Sequence, residues 1–136
     1  MIGLVAQLEA ATHRVVDHLS AELRELGLTP GEVNALAHVR PDEPLAVAEL
    51  QAATGQRPST LTGVIDRLER RGLIRRVVNL RDRRSFVLEL SDEGERAATE
   101  VRKAFSALEE RVLAHVGERS VAGFLRVVEA LDDAAR

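Results

Sequence analysis

The apolar period of this chain switches from helical to strand-like and back again, and that switch limits the possible folds more than any other feature. Up to Leu68 the aliphatic residues recur every three or four positions: Leu4, Leu8, Ala11, Val15, Leu19, Leu23 and Leu26, then Val33, Leu36 and Ala37, then Leu61, Val64, Ile65 and Leu68. Through "LIRRVV" and "SFVLEL", between Leu73 and Leu90, the repeat drops to two. After Ser91 it lengthens again, through Ala97, Val101, Phe105, Leu108, Val112 and Val116, and then Val121, Phe124, Leu125, Val128 and Leu131. A period of 3.6 marks a helix with one buried stripe, and a period of two marks a half-buried strand. The chain is therefore expected to be mostly α, with one small β-hairpin set into it, an α+β arrangement.

Local signals divide the helical stretches. Residues 4–26 form one predicted helix, stopped by Gly27. "TPGE", Thr29 to Glu32, places an N-cap, a proline and an early acid at the start of a second helix, the order that satisfies free N–H groups and the helix dipole. "RPDEP" is a loop, and "LAVAELQAAT", held to the core by Leu45, Val47 and Leu50, is a short third helix ending at Gly55. Pro58 opens a fourth helix, which Gly72 ends. Ser91 caps a long helix running to about Val116, although Gly94 stands where a full capping box has Glu or Gln. A final helix follows Gly117. No repeat or interdomain linker interrupts these 136 residues, a length suited to a single domain.

Short helix, turn, second helix and hairpin in that order make a winged helix-turn-helix. Charge is concentrated in the same segment. From Arg57 to Arg84 there are nine arginines against Asp66, Glu69 and Asp82, a local charge of +6 in a chain whose formal net charge is -3. Such asymmetry points to a polyanion as the partner of that segment alone. Ser59, Thr60, Thr62, Gly63, Asp66, Arg67 and Arg70 lie opposite the apolar stripe of the fourth helix, where hydroxyls near a helix N-terminus suit phosphates or base edges. The hairpin tip "NLRDRR" holds Arg81, Arg83 and Arg84, which repel one another unless an anion lies among them. An arginine at such a tip can enter a DNA minor groove.

The stretch "LAVAELQAATGQRPSTLTGVIDRLERRGLIRRVVNLRDRRSFVLELSDEGERA" resembles the core of the MarR family of bacterial transcriptional regulators, most specifically in "PSTLTGVIDRLERRGLI" and "DRRSFVLELSDEG". The resemblance implies a winged helix-turn-helix over residues 30–91, flanked by dimerisation helices at 1–26 and 92–136. It implies a homodimer on a pseudo-palindromic double-stranded operator, with helix 57–71 in the major groove and wing 79–84 in the minor groove. The DNA face would comprise Arg57, Pro58, Ser59, Thr60, Thr62 and Arg67 with Arg81, Arg83 and Arg84. Arg84 would enter the groove, Asp82 would brace the wing loop, and Asp66 would pair with Arg84 or with another arginine. Thr62 and Gly63 stand where many relatives carry a longer polar or basic residue, so direct base readout is expected to be thin. A small-molecule effector is implied too, with His13, Arg14, His18 and His38 as possible polar contacts in an aliphatic pocket.

Composition narrows the alternatives. Zero cysteines exclude disulfides, thiol catalysis and thiolate metal sites, and with them the peroxide-sensing branch of the family. Three phenylalanines are the entire aromatic content, too few for base-stacking recognition of single strands. No nucleophile motif or glycine-rich phosphate loop suggests an enzyme, and no cofactor is predicted. His13 and Asp17, one helical turn apart, make only a weak metal pair. No apolar run is long enough to span a membrane, and the N-terminus lacks the basic start of a signal peptide, so the expected compartment is the cytoplasm. A winged helix that binds protein rather than DNA is the alternative reading. It would have no need of the basic tip.

Overall fold

The computed structural model describes residues 3–136. The chain forms two compact units, one running to Ala104 and the other from Phe105 to Arg136.

The first unit begins with helix α1, Leu4–Glu22, and a 3-10 turn at Arg24–Leu26 that ends at Gly27 in the left-handed region, φ 63°. The predicted helix 4–26 is thus an α-helix that tightens in its last turn. Helix α2, Pro30–His38, starts as expected: the Thr29 hydroxyl accepts the Glu32 N–H at 3.3 Å, and Pro30 occupies the first turn. Helix α3 is Val47–Thr54 and helix α4 is Pro58–Arg70. Gly55, at φ 70°, turns the chain between them. Two side-chain amides tie this turn to α2: Asn34 Nδ2 donates to the Thr54 carbonyl and Gln56 Nε2 to the Gly31 carbonyl, each at 3.2 Å.

Leu45 and Ala46 are a correction to the sequence reading. They do not begin the third helix but form a two-residue strand, β1. It pairs with β3, Phe86–Leu90, which also pairs with β2, Ile74–Val78, in an antiparallel sheet of order β1-β3-β2. A hairpin leaves one edge of each strand with unpaired backbone groups, and β1 covers the outer edge of β3. The register sets Leu45 opposite Leu88 and Arg76 opposite Leu88 from the other side. Helix α3 therefore begins at Val47, where Glu49 accepts the Ala46 N–H at 3.2 Å.

Leu36, Leu50, Leu61, Val64, Ile65, Leu68, Ile74 and Leu88 form the fully buried centre of this unit, joined by Val101 from helix α5, Asp92–Leu113. Four of these come from the α4 stripe, so the opposite face of α4 is necessarily turned outward. The Ser91 hydroxyl caps α5 by accepting the Gly94 N–H at 3.0 Å and donates to the Gly72 carbonyl. A side chain at position 94 is barred by contact: a Cβ there would lie 1.7 Å from the Leu73 carbonyl oxygen. The glycine in place of a capping-box acid reflects this approach of backbone to backbone.

The second unit contains the end of α5 and helix α6, Glu118–Ala134. Helix α5 stops at Leu113, three residues short of the predicted Val116, in a turn leading to Gly117. No residue of α6 is buried, and Phe124, Leu125 and Val128 are exposed together with Val112, Leu113 and Val116.

Candidate nucleic-acid interface

Helix α4 differs from its neighbours at its N-terminus. The starts of α2 and α5 carry a side-chain cap and acids in the first turn, Glu32 in one and Asp92, Glu93 and Glu95 in the other. The start of α4 has neither: Arg57 occupies the N-cap position without a side-chain cap, and no acid lies in the first turn. Its first N–H groups are left to an external acceptor, and the positive end of the helix dipole is uncompensated. Arg57, Pro58, Ser59, Thr60 and Thr62 are all exposed around this end. The Thr62 hydroxyl donates to the Pro58 carbonyl at 2.9 Å, which leaves its oxygen lone pairs as acceptors. Gly63 is not forced by crowding, since an added Cβ would meet only the flexible Arg67 Nη1, at 3.3 Å.

The wing tip is built by side chains bonding to backbone. The Asn79 N–H donates to the Ser85 carbonyl at 3.1 Å and closes the ladder. Beyond it, Asn79 Oδ1 accepts the Arg81 N–H at 3.0 Å and Asp82 Oδ1 accepts the Arg84 N–H at 3.1 Å. Ser85 donates both its N–H, at 3.0 Å, and its hydroxyl, at 3.1 Å, to the Asp82 carbonyl. Asn79 and Asp82 thus supply the turn chemistry that glycine or proline would otherwise give. Arg81, Arg83 and Arg84 are exposed, and among the described residues none of their side chains has an acidic partner.

The nine arginines of the basic segment therefore divide into two groups. Arg67 Nε donates to Glu32 Oε1 at 3.1 Å, and Arg71 lies 3.8 Å from Glu32 Oε2 while donating to the Leu26 and Gly27 carbonyls at 2.7 and 2.9 Å. Arg75 faces Glu89, and Arg70 Nε donates to the Asp66 carbonyl. Arg76 bridges Asp66 and Glu69 of α4 and stacks 5.3 Å from the centre of the Phe86 ring. The hydrogen bond to Asp66 is the main cause of a raised Arg76 pKa, which burial opposes. Of the nine, only the side chains of Arg57, Arg81, Arg83 and Arg84 have no protein partner among the described residues, and they stand at the start of α4 and at the wing tip.

Two residues thus sit differently from their sequence assignments. Asp66 meets Arg76 in β2 rather than Arg84 at the tip, so it links α4 to the base of the wing. Arg67 is drawn from the outer face of α4 toward a Glu32 that is only 3% exposed. The sequence reading overlooked both Arg76 and Glu32. The alternation Ile74, Arg76, Val78 was a usable sign that Arg76 faces inward, whereas burial of Glu32 depends on residues 35 and 39 positions away and had no local signal.

Residues 26–85 match the MarR family. The chain is 29% identical over 135 residues to the HTH-type transcriptional repressor MdtR of Bacillus subtilis, covering 99% of this chain and 87% of that protein. The chain is thus similar to MarR-family proteins, most directly over residues 26–85. Among solved structures it is similar to MepR of S. aureus in a DNA-binding conformation, with a TM-score of 0.86, 15% identity and coverage of 99% and 100% of the two chains. It is also similar to BpsR of Bordetella bronchiseptica, whose DNA binding is regulated by 6-hydroxynicotinic acid, with a TM-score of 0.77, 19% identity and coverage of 96% and 94%. No helix among the described residues is long and apolar enough to cross a membrane.

Proposed function

We propose that this chain is a DNA-binding transcriptional regulator of the MarR family and not an enzyme: a cytoplasmic, ligand-responsive repressor that binds a pseudo-palindromic operator as a homodimer. The α4 N-terminus enters the major groove and residues 79–84 enter the minor groove. One observation carries the reading: within the basic segment from Arg57 to Arg84, the four arginines whose side chains have no partner among the described residues stand at the uncapped start of α4 and at the wing tip. Arg57, Pro58, Ser59, Thr60 and Thr62 form the major-groove face, and Arg81, Arg83 and Arg84 form the minor-groove face. Arg67 belongs at the margin of that surface, being shared with Glu32. Asp82 braces the tip, and Asp66 braces the wing through Arg76. Replacing Arg84 with alanine is expected to weaken operator binding by about tenfold and to reduce the slope of log K against log salt by about one, measured by fluorescence anisotropy. Unchanged affinity and slope would remove Arg84 from the interface.

The homodimer rests on apolar surface. Leu4, Val5 and Val15 of α1 are exposed, as are Val112, Leu113, Phe124, Leu125 and Val128 further along the chain. Regions 1–26 and 92–136 are the dimerisation regions in this reading, and a second copy covers their apolar faces. Summing two half-sites makes up for a helix with few base contacts. Sedimentation at micromolar concentration is expected to show a dimer, and a monomer alone would overturn this part.

A small-molecule effector has a candidate seat in a groove of about 280 Å³ lined by Leu26, Leu28, Leu73, Ala97, Arg71 and Arg96, among others. None of His13, Arg14, His18 and His38 lines it. Arg71 also reaches Glu32, the partner of Arg67 on α4, so occupancy of this groove has a route to the DNA face.

A further inference from the structure

Leu80 stands apart from the other large hydrophobic residues. It is 86% exposed, the highest value among them, and it sits within the cationic tip. Its position follows from the turn: Asn79 Oδ1 holds the Arg81 N–H, so Leu80 is the middle residue of a side-chain-closed turn at the end of the hairpin. The strand leading to it carries a row of alternate residues outward from the core. Ile74 is buried, Arg76 is half-buried, and Val78, paired with Phe86, is 57% exposed. This row lies on the hairpin face turned toward α4, since Arg76 within it reaches Asp66 and Glu69 of α4. The tip is thus composite, carrying an exposed leucine beside exposed Arg81, Arg83 and Arg84.

We infer that Leu80 enters the minor groove with Arg84 and packs against its sugar walls and floor, so that it selects A·T over G·C pairs beneath the wing. The inference rests on the placement of the wing proposed above. Charge complementarity fixes the occupant: a leucine exposed on the same short tip as three unpartnered arginines is brought to a polyanion, and the minor groove offers C–H surface between two rows of phosphates. Discrimination follows from the chemistry of the floor. A·T pairs present only acceptors there, whereas G·C adds the guanine N2 amino group. That amino group stands up from the floor and fills the space that an A·T pair leaves open, so an aliphatic side chain packs closely only over A·T pairs. Arginine attraction to a narrow groove acts in the same direction but is salt-dependent, and the leucine contribution is not.

The test uses a duplex selected on the wild-type protein from a random-sequence pool, prepared with A·T or G·C pairs beneath the wing. Wild type is expected to favour the A·T duplex. Leu80→Ser should weaken binding to it by about tenfold, as expected when most of an aliphatic side chain no longer leaves water. Binding to the G·C duplex should hardly change, and the salt slope should stay at the wild-type value. Leu80→Met should restore the A·T preference. Equal affinities for wild type and Leu80→Ser would overturn the role of Leu80, and so would an equal loss on both duplexes. If wild type selects no duplex from the pool, the proposed operator binding itself falls. Selection that succeeds, with Leu80→Ser unchanged, removes the leucine alone. Thermal unfolding of Leu80→Ser should match wild type, since the side chain makes no core contact.

Discussion

Replacing Gly94 with alanine is expected to destabilise the protein by about 2–3 kcal/mol, although alanine is the better helix former by up to about 1 kcal/mol. The added methyl would stand 1.7 Å from the Leu73 carbonyl oxygen, 2.7 Å from its carbon and 3.1 Å from its Cα, all backbone atoms that no rotamer change can move. The same carbonyl accepts the Ser91 N–H at 3.0 Å, so displacing it also disturbs the cap of α5. Leu73 precedes the first residue of β2, and its movement is transmitted to the strand that carries the wing. A fall of roughly 10 °C in the unfolding midpoint, followed by circular dichroism, is the expected measurement. An unchanged or raised midpoint would mean that α5 can shift away from β2 at little cost.

Replacing Arg67 with alanine is expected to act more on stability than on DNA affinity, costing about 2 kcal/mol. Glu32 is the only buried charged residue among those described, and its carboxylate depends on the Thr29 hydroxyl at 3.1 Å, Arg67 at 3.1 Å and Arg71 at 3.8 Å. Removing one partner of a fully buried pair costs about 3–5 kcal/mol, because the other charge is left desolvated. The expected figure is lower here, since the Arg67 side chain is 44% exposed and Arg71 remains within reach. Combining the change with Glu32→Gln should recover more than half of the loss, because no buried charge then lacks a partner. Urea unfolding of the two single variants and the double, at constant m value, measures the coupling. Additive losses would show that Glu32 and Arg67 do not depend on each other.

How much of this was readable beforehand depends on the range of the interaction responsible. The α4 stripe was legible because Leu61, Val64, Ile65 and Leu68 repeat within one helix, and burial of that stripe fixes the outer face where Ser59, Thr60 and Thr62 stand. The turn residues Asn79 and Asp82 were equally local, each acting on a backbone N–H two positions away. Strand β1 was not legible. Its two residues carry no period, and their conformation is set by β3 about forty positions later. The pairing of Asp66 with Arg76 rather than Arg84 is a matter of reach: Arg76 sits on the strand that contacts α4, while Arg84 lies past the end of the ladder. Local charge gave the net surplus but not which arginines were already engaged, because Glu32 comes from another helix.

Strand β1 has a consequence for the DNA. The residue that ends it leads directly into α3, and its partner β3 is the strand that runs back from the wing tip. With Arg76 joining β2 to α4, the hairpin is fastened to the helix-turn-helix from both sides of the sheet. In the proposed complex the spacing of the two contacts is therefore fixed: one base pair inserted between the stretch under α4 and the stretch under the wing moves the second contact by about 3.4 Å and about a tenth of a turn, and a hairpin braced in this way follows it poorly.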